Sequence, residues 1–343
     1  MALSDYHATT GNWREQLRRN QRKTRTVILL FIAIYVGVGL LVDVVILQSS
    51  YPGLSLEQCF LALLTLKAVP YATLTMGAVA VISLFAAYAL YDRIMLMGTE
   101  YREITPETAA NLQEKQLYNV VEEMKVSAGL HYMPKVFIIE ANYMNAFASG
   151  YSEKSAMVAI TRGLMEKLDR AEMQAVMAHE LSHIRHLDIK LTLMVAILSN
   201  ILLIVIDMLF YSVIYRRDRR GDNRLVLIIV LLRYVLPILT VLLTLFLSRT
   251  REYMADSGAV ELMRDNEPMA RALLKISQDH EQHAEQYNEE YGNTPHEQVR
   301  QASYLFDPSS FDPVKSLSSA FSTHPAVDER LEALGFKRKA PRA

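Results

Sequence analysis

Residues 178–183 read Ala178-His179-Glu180-Leu181-Ser182-His183, an H-E-x-x-H run. Residues four apart share one face of an α-helix, so His179 and His183 can turn two imidazoles toward a single ion. Glu180 stands beside them and can reach a water on that ion. Two neutral nitrogens and a nearby carboxylate are what metal-assisted hydrolysis requires: ligands, and a base for the water. Two unrelated histidines on a helix surface are the plain alternative, and the upstream sequence argues against it. Asp169 followed by Glu172 spells a capping box, and Ala171, Ala175, Val176 and Ala178 carry a helix to His183 without Gly or Pro. The longer pattern H-E-x-x-H-x-x-G-x-x-H does not apply, because His186 and Ile189 stand where its Gly and last His would be. A third ligand must come from another part of the chain.

Downstream of this run come two apolar blocks, 191–215 and 225–247, interrupted by Asp207 and by Arg233 and Pro237. The loop between them, 216–224, holds five arginines and two aspartates. If both blocks span a bilayer, that loop breaks the positive-inside tendency; spanning or only dipping, a hairpin returns the chain to its starting side. Asp207 lies eight residues before the end of the first block, and Arg233 eight after the start of the second. Antiparallel helices would set both about 12 Å from the loop. An Asp207–Arg233 ion pair is therefore expected, the alternative being two charges that each face a wet cavity.

Directly after the hairpin, Arg251-Glu252-Tyr253-Met254-Ala255-Asp256 places two acids four residues apart. A carboxylate can complete a His-His-Glu zinc site with water as the fourth ligand. An acid one turn on can hold the far nitrogen of a ligand histidine. By spacing alone Glu252 is one candidate among several, since E-x-x-x-D is common on solvated helix faces.

Upstream, residues 1–26 form a polar tail in which Arg14, Arg18, Arg19, Arg22, Lys23 and Arg25 crowd before an apolar stretch. Residues 27–47 carry only Asp43 as a charge and are long enough, at about 31 Å, to cross a bilayer. Residues 68–91 are uncharged and form a second span, with 48–67 as an external loop. The basic flank then faces the cytoplasm, and the chain beyond Asp92 returns there. Thr105-Pro106-Glu107 reads as a helix start, Gly129 as its stop, and Val136-Phe137-Ile138-Ile139 as a buried strand. A second strand is expected at 156–160, with Asn145-Ala146-Phe147-Ala148 inside what reads as a plain hairpin.

Composition narrows the class. A formal net charge of −1 gives no general attraction to nucleic acid, and a 51% hydrophobic content gathered in four blocks marks a membrane chain. The single cysteine, Cys59, excludes an internal disulfide framework and a cysteine-rich zinc site. The expected architecture is α+β and mainly helical: four hydrophobic membrane helices plus a zincin-like cytoplasmic catalytic domain with a small sheet. That catalytic domain is split into 92–190 and 248–343 by the 191–247 hairpin.

His179-Glu180-x-x-His183, a hydrophobic hairpin, then Arg251-Glu252-x-x-Ala255-Asp256 resembles the HtpX heat-shock membrane metalloprotease family, a relative of the CAAX prenyl proteases. The order of elements from about residue 27 onward is similar too, including Asn145-Ala146-Phe147-Ala148 and His324-Pro325 with Arg330. The resemblance implies one zinc ion per chain on His179, His183 and Glu252, with Glu180 as general base and Asp256 behind a ligand histidine. It also implies that Asn145, Ala146 and Phe147 lie on an edge strand that takes a substrate backbone. His324 or Arg330 would stabilise the oxyanion. The activity implied is endopeptidase cleavage of misfolded or damaged membrane proteins, and of the chain itself, at the cytoplasmic side of a bacterial inner membrane. Prenyl-peptide processing, cleavage within the bilayer and a catalytically silent zinc scaffold are the competing readings. The polar segment 277–317, with His280, His283 and His296, departs from the family pattern; a His280-x-x-His283 metal site competes there with a solvated loop or helix.

Overall fold

The computed structural model describes residues 3–8, 13–96, 101–150, 152–214, 223–287, 305 and 324–339. Among the described residues the chain is mainly helical, with two small sheets. It divides into two units: Arg25–Ala89 with Leu191–Phe246, and Met1–Thr24 with Leu90–Lys190 and Leu247–Ala343.

The first unit is built from apolar helices. Helix α1 runs over Trp13–Ser50, so the basic flank and the apolar stretch form one continuous helix. Helix α2 (Leu56–Leu64) occupies the stretch expected to be a loop. A reciprocal cap explains it: Gln58 N–H donates to Ser55 Oγ, and Ser55 N–H to Gln58 Oε1. Helix α3 covers Tyr71–Leu96. The lone acid of the first apolar stretch, Asp43, is buried and accepts the Ala72 and Thr73 N–H groups at 2.7 and 3.0 Å, which satisfies donors at the start of α3. Among the described residues three helices are long and apolar enough to cross a membrane: Arg14–Ser50, Met194–Ser212 and Arg224–Met263. The apolar part of α3, Tyr71–Ala87, is shorter than that measure.

The hairpin helices are α7 (Asp188–Ile214) and α8 (Asn223–Met263). Its expected ion pair forms: Arg233 Nε lies 2.9 Å from Asp207 Oδ1, and the guanidinium lies 3.9 Å from the Phe210 ring centroid. An unpaired charge at the centre of a membrane helix costs about 2.5–3.5 kcal/mol, and the ring adds a cation–π contact. Asp207→Arg and Arg233→Asp should each lower the denaturation midpoint in detergent or lipid, and the charge-swapped double mutant should recover much of the loss. Equal damage from all three would show that the pair does not matter.

The second unit holds the sheets. Strand β1 (Tyr6–Ala8) pairs antiparallel with the last strand, introduced below. Strand β2 is Tyr101–Ile104, helix α4 Leu112–Ala128, and strands β3, β4 and β5 are Lys135–Ile139, Ala146–Ser149 and Met157–Thr161. Helix α5 (Arg162–Lys167) leads into α6 (Arg170–His186), then α7 (Asp188–Ile214) and α8 (Asn223–Met263). Helix α9 (Glu267–Gln282), α10 (Val327–Ala333) and β6 (Phe336–Arg338) complete the described elements, and β6 is the partner of β1.

Two local expectations are corrected. Thr105-Pro106-Glu107 forms a turn closed by Thr105 and Thr108, and α4 starts six residues later, where Asn111 caps the Glu114 N–H. A side-chain oxygen that reaches the third N–H of a helix decides that start, and Pro106 suits a turn equally well. Gly129 ends α4 with φ 70, as expected. The plain hairpin between 136–139 and 156–160 is absent. Strands β3 and β5 run parallel, and β4 pairs antiparallel on the far side of β5, giving the order β2-β3-β5-β4. Parallel neighbours require a crossover, and here the connection includes β4 itself. One face of this sheet, with Val136, Ile138, Ala146 and Val158, packs into the main core with α4, α6 and α9. The other face, with Phe137, Phe147 and Ala159, packs with Tyr143 and Tyr287.

Candidate metal centre

Helix α6 begins with the expected reciprocal cap. Glu172 N–H donates to Asp169 Oδ1 at 2.8 Å, and Asp169 N–H to Glu172 Oε2 at 2.9 Å. The helix packs on α4, α9 and β4, and His179, Glu180 and His183 are all buried along it. Helix α8 meets α6 closely. A Cβ on Gly258 would stand 2.4 Å from Ser182 Oγ, so only glycine permits this approach without a shift. Glu252 and Asp256 lie one helical turn apart on α8 and are brought to the two histidines.

Among the described residues His179, His183 and Glu252 form a group whose ligand atoms all lie within 4.8 Å of one another. The two Nε2 atoms stand 3.2 Å apart. The Glu252 carboxylate lies 3.6 Å from His179 Nε2 and 3.8 Å from His183 Nε2. Two nitrogens held about 2.05 Å from a tetrahedral zinc stand about 3.3 Å apart, so this donor set has the chemistry and spacing for zinc. Each ring turns its other nitrogen to an acid. His179 Nδ1 faces Asp256 Oδ1 at 3.0 Å and His183 Nδ1 faces Asp188 Oδ2 at 2.7 Å, leaving both Nε2 atoms directed at the shared centre.

Electrostatics reinforce the geometry. Burial alone would lower the His179 pKa, but Asp256 and Glu252 outweigh it and push the value up to about 9. A metal taking this nitrogen must displace a proton. Burial raises the Glu180 carboxyl above its ordinary value, against the pull of the two histidines. Both Glu180 oxygens are buried and take no hydrogen bond from the described residues. That leaves the carboxyl available for proton transfer beside the ligand set.

The remaining expected site residues divide. His324 is brought in, with Nδ1 3.4 Å from Glu252 Oε2. Arg330 is also buried there, but its Nε and Nη2 bond the two Asp256 oxygens at 2.9 and 2.6 Å, and its Nη1 donates to the Leu305 carbonyl at 2.8 Å. Asn145 precedes β4, and Ala146 and Phe147 lie on it, at an end of the described sheet. In the antiparallel pairing with β5, Ala146 and Ala148 belong to the pairs whose backbone groups point away from β5, toward the side on which no described strand pairs. The Ala146 carbonyl accepts the Leu305 N–H there at 2.9 Å. His280 and His283 do not converge on a metal: each Nδ1 bonds the carbonyl four residues earlier, Ile276 and Asp279. His296 lies outside the described residues. Sequence reasoning missed Asp188 and Gly258. An acid just past the H-E-x-x-H helix, and a glycine within a long helix, were the available signals.

The pattern that defines peptidase family M48 matches residues 111–336. The chain is 41% identical over 323 residues to a protein named Protease HtpX homolog from Helicobacter pylori strain J99, covering 94% of this chain and 98% of the relative. It is similar to proteins of the same name from Streptococcus uberis, at 33% identity with 93% and 98% covered, and from Dictyoglomus thermophilum, at 35% with 73% and 77% covered. Among solved structures, the crystal structure of S. mikatae Ste24p is 20% identical with a TM-score of 0.48, covering 96% of this chain and 68% of that one.

Proposed function

The chain belongs to peptidase family M48 and is a membrane metalloprotease, and from that premise we propose that zinc is its metal, held by His179, His183 and Glu252. In this reading Glu180 is the general base, and the catalytic unit is zincin-like. The protein crosses the inner membrane four times, α3 serving as a span despite its shorter apolar part. The catalytic unit lies in the cytoplasm, a reading supported by the basic residues ahead of the first apolar stretch. The substrates are misfolded or damaged membrane proteins, cut at cytoplasmic segments. The observation that carries the reading is the convergence of both Nε2 atoms and the Glu252 carboxylate beside an unshared, buried Glu180.

Bound zinc supplies Lewis acidity, which makes water a nucleophile near neutral pH and polarises a carbonyl. Asp256 and Asp188 hold the imidazole tautomers that leave both Nε2 lone pairs facing inward. Arg330 fixes Asp256 with two bonds and so acts as a positioning group. His324 is then the candidate to stabilise the developing oxyanion. The β4 edge at Ala146 and Ala148 takes the substrate backbone as an added strand, which replaces the Leu305 N–H on the Ala146 carbonyl and the Asn145 Oδ1 on the Ala146 N–H. Glu180 accepts a proton from the attacking water and passes it to the leaving amine, so no covalent acyl-enzyme forms. The buried Glu180 carboxylate has a chemical use in this scheme that a silent scaffold would lack.

The test is cleavage of an unfolded membrane protein in detergent by the purified full chain. Cleavage should stop on chelation and return on adding zinc. Cleavage that persists through complete metal removal would defeat the zinc reading.

A further inference from the structure

A second acid and its partner tie the site together. Helix α6 ends on Leu187, a non-glycine residue in the left-handed region with φ 55 and ψ 37. A bulky residue held there is strained and persists only where its surroundings impose it. The turn it makes brings Asp188, the first residue of α7, back against His183, only five positions earlier. The Asp188 carboxylate is buried, and one oxygen, Oδ2, lies both 2.7 Å from His183 Nδ1 and 3.5 Å from Arg251 Nε. Arg251 is buried too, and it immediately precedes Glu252.

This arrangement differs from the Asp256–His179 contact in one respect. Asp256 and Glu252 share one helix, so that pair ties His179 to α8 alone. Asp188 and Arg251 stand where the chain leaves α6 and where it returns with Glu252, with the whole apolar hairpin between them in sequence. Resting on the zinc reading above, we infer that Asp188, held by Arg251, is the positioning residue for His183. The Asp188–Arg251 pair fixes the spacing between the His183 imidazole and the Glu252 carboxylate. It does so in two ways: the charge on Asp188 sets the His183 tautomer, and the ion pair pins the α6 end to the segment that carries Glu252.

The experiment measures zinc affinity by chelator competition on the full chain in detergent, with the visible spectrum of the cobalt-substituted protein beside it. Wild type should bind one ion tightly; failure there defeats the zinc reading itself. Asp188→Asn keeps the shape and loses the charge. It should weaken zinc by about 10–100-fold, the usual effect of losing an outer partner of a ligand histidine, and shift the cobalt bands. Arg251→Met should weaken zinc in the same direction, and Arg251→Lys should restore much of the loss. If tight wild-type binding is accompanied by unchanged zinc affinity and cobalt spectra in Asp188→Asn, the positioning role is overturned. Should Asp188→Asn fail to fold, Arg251→Met carries the test, and unchanged affinity there overturns the role equally.

Discussion

Glu180→Gln is expected to keep its zinc and lose peptide-bond cleavage by about 10²–10⁴-fold, the usual contribution of a positioned acid–base group. Glutamine matches glutamate in shape, so it fits the buried position on α6 without disturbing the histidines on either side. Its amide cannot accept the proton that water gives up, and it has none to deliver to the amine. The Glu180 oxygens take no hydrogen bond from the described residues, so the substitution breaks no structural bond among them. Burial raises the Glu180 carboxyl, which brings it nearer the range where one group can take and return a proton. The check is a single-turnover cleavage rate in wild type and variant with matched zinc content. Wild-type turnover by the variant would remove the general-base assignment.

The parts of the site that could be read from the sequence are the local ones. A capping box, a run of helix-forming residues and two histidines four apart suffice to place His179, Glu180 and His183 on one helix, because every interaction that forms it lies within α6 and its cap. The Asp207–Arg233 pair was legible for a related reason. Two antiparallel helices joined by a short loop put equal distances from that loop at equal depth, and an unpaired charge in lipid is costly.

Glu252 was different. Its spacing to Asp256 is common on solvated helices, and only the family resemblance singled it out. What places it is a contact distant in sequence, Gly258 against Ser182, which no periodicity announces. Asp188 escaped notice because the left-handed turn at Leu187 that folds it back has no glycine to mark it. The four-stranded sheet escaped for a similar reason: Ala146 to Ser149 is short and buried throughout, so it lacks the alternation of a half-exposed strand. At Thr105 and at residues 48–67 the error was one of competing local signals. Asn111 and Ser55 both cap helices through the third N–H, and both sit where apolar pattern alone gave no helix start.

Glu252 is the proposed third ligand, and removing it should have the largest effect on the metal. Its carboxylate is the one anionic ligand in the three-residue cluster, so Glu252→Ala leaves two imidazoles alone to hold a divalent ion. That loss should exceed the about 100-fold that removal of an outer partner can cost. Asp256 and Arg330 bond each other and do not depend on Glu252 for a partner, which favours retention of the fold. The decisive measurement is zinc per folded chain, determined by mass spectrometry of the purified protein after mild chelator wash, in wild type, Glu180→Gln and Glu252→Ala. The account predicts one ion, one ion and almost none. A Glu252→Ala protein that still carries one zinc per chain would contradict it.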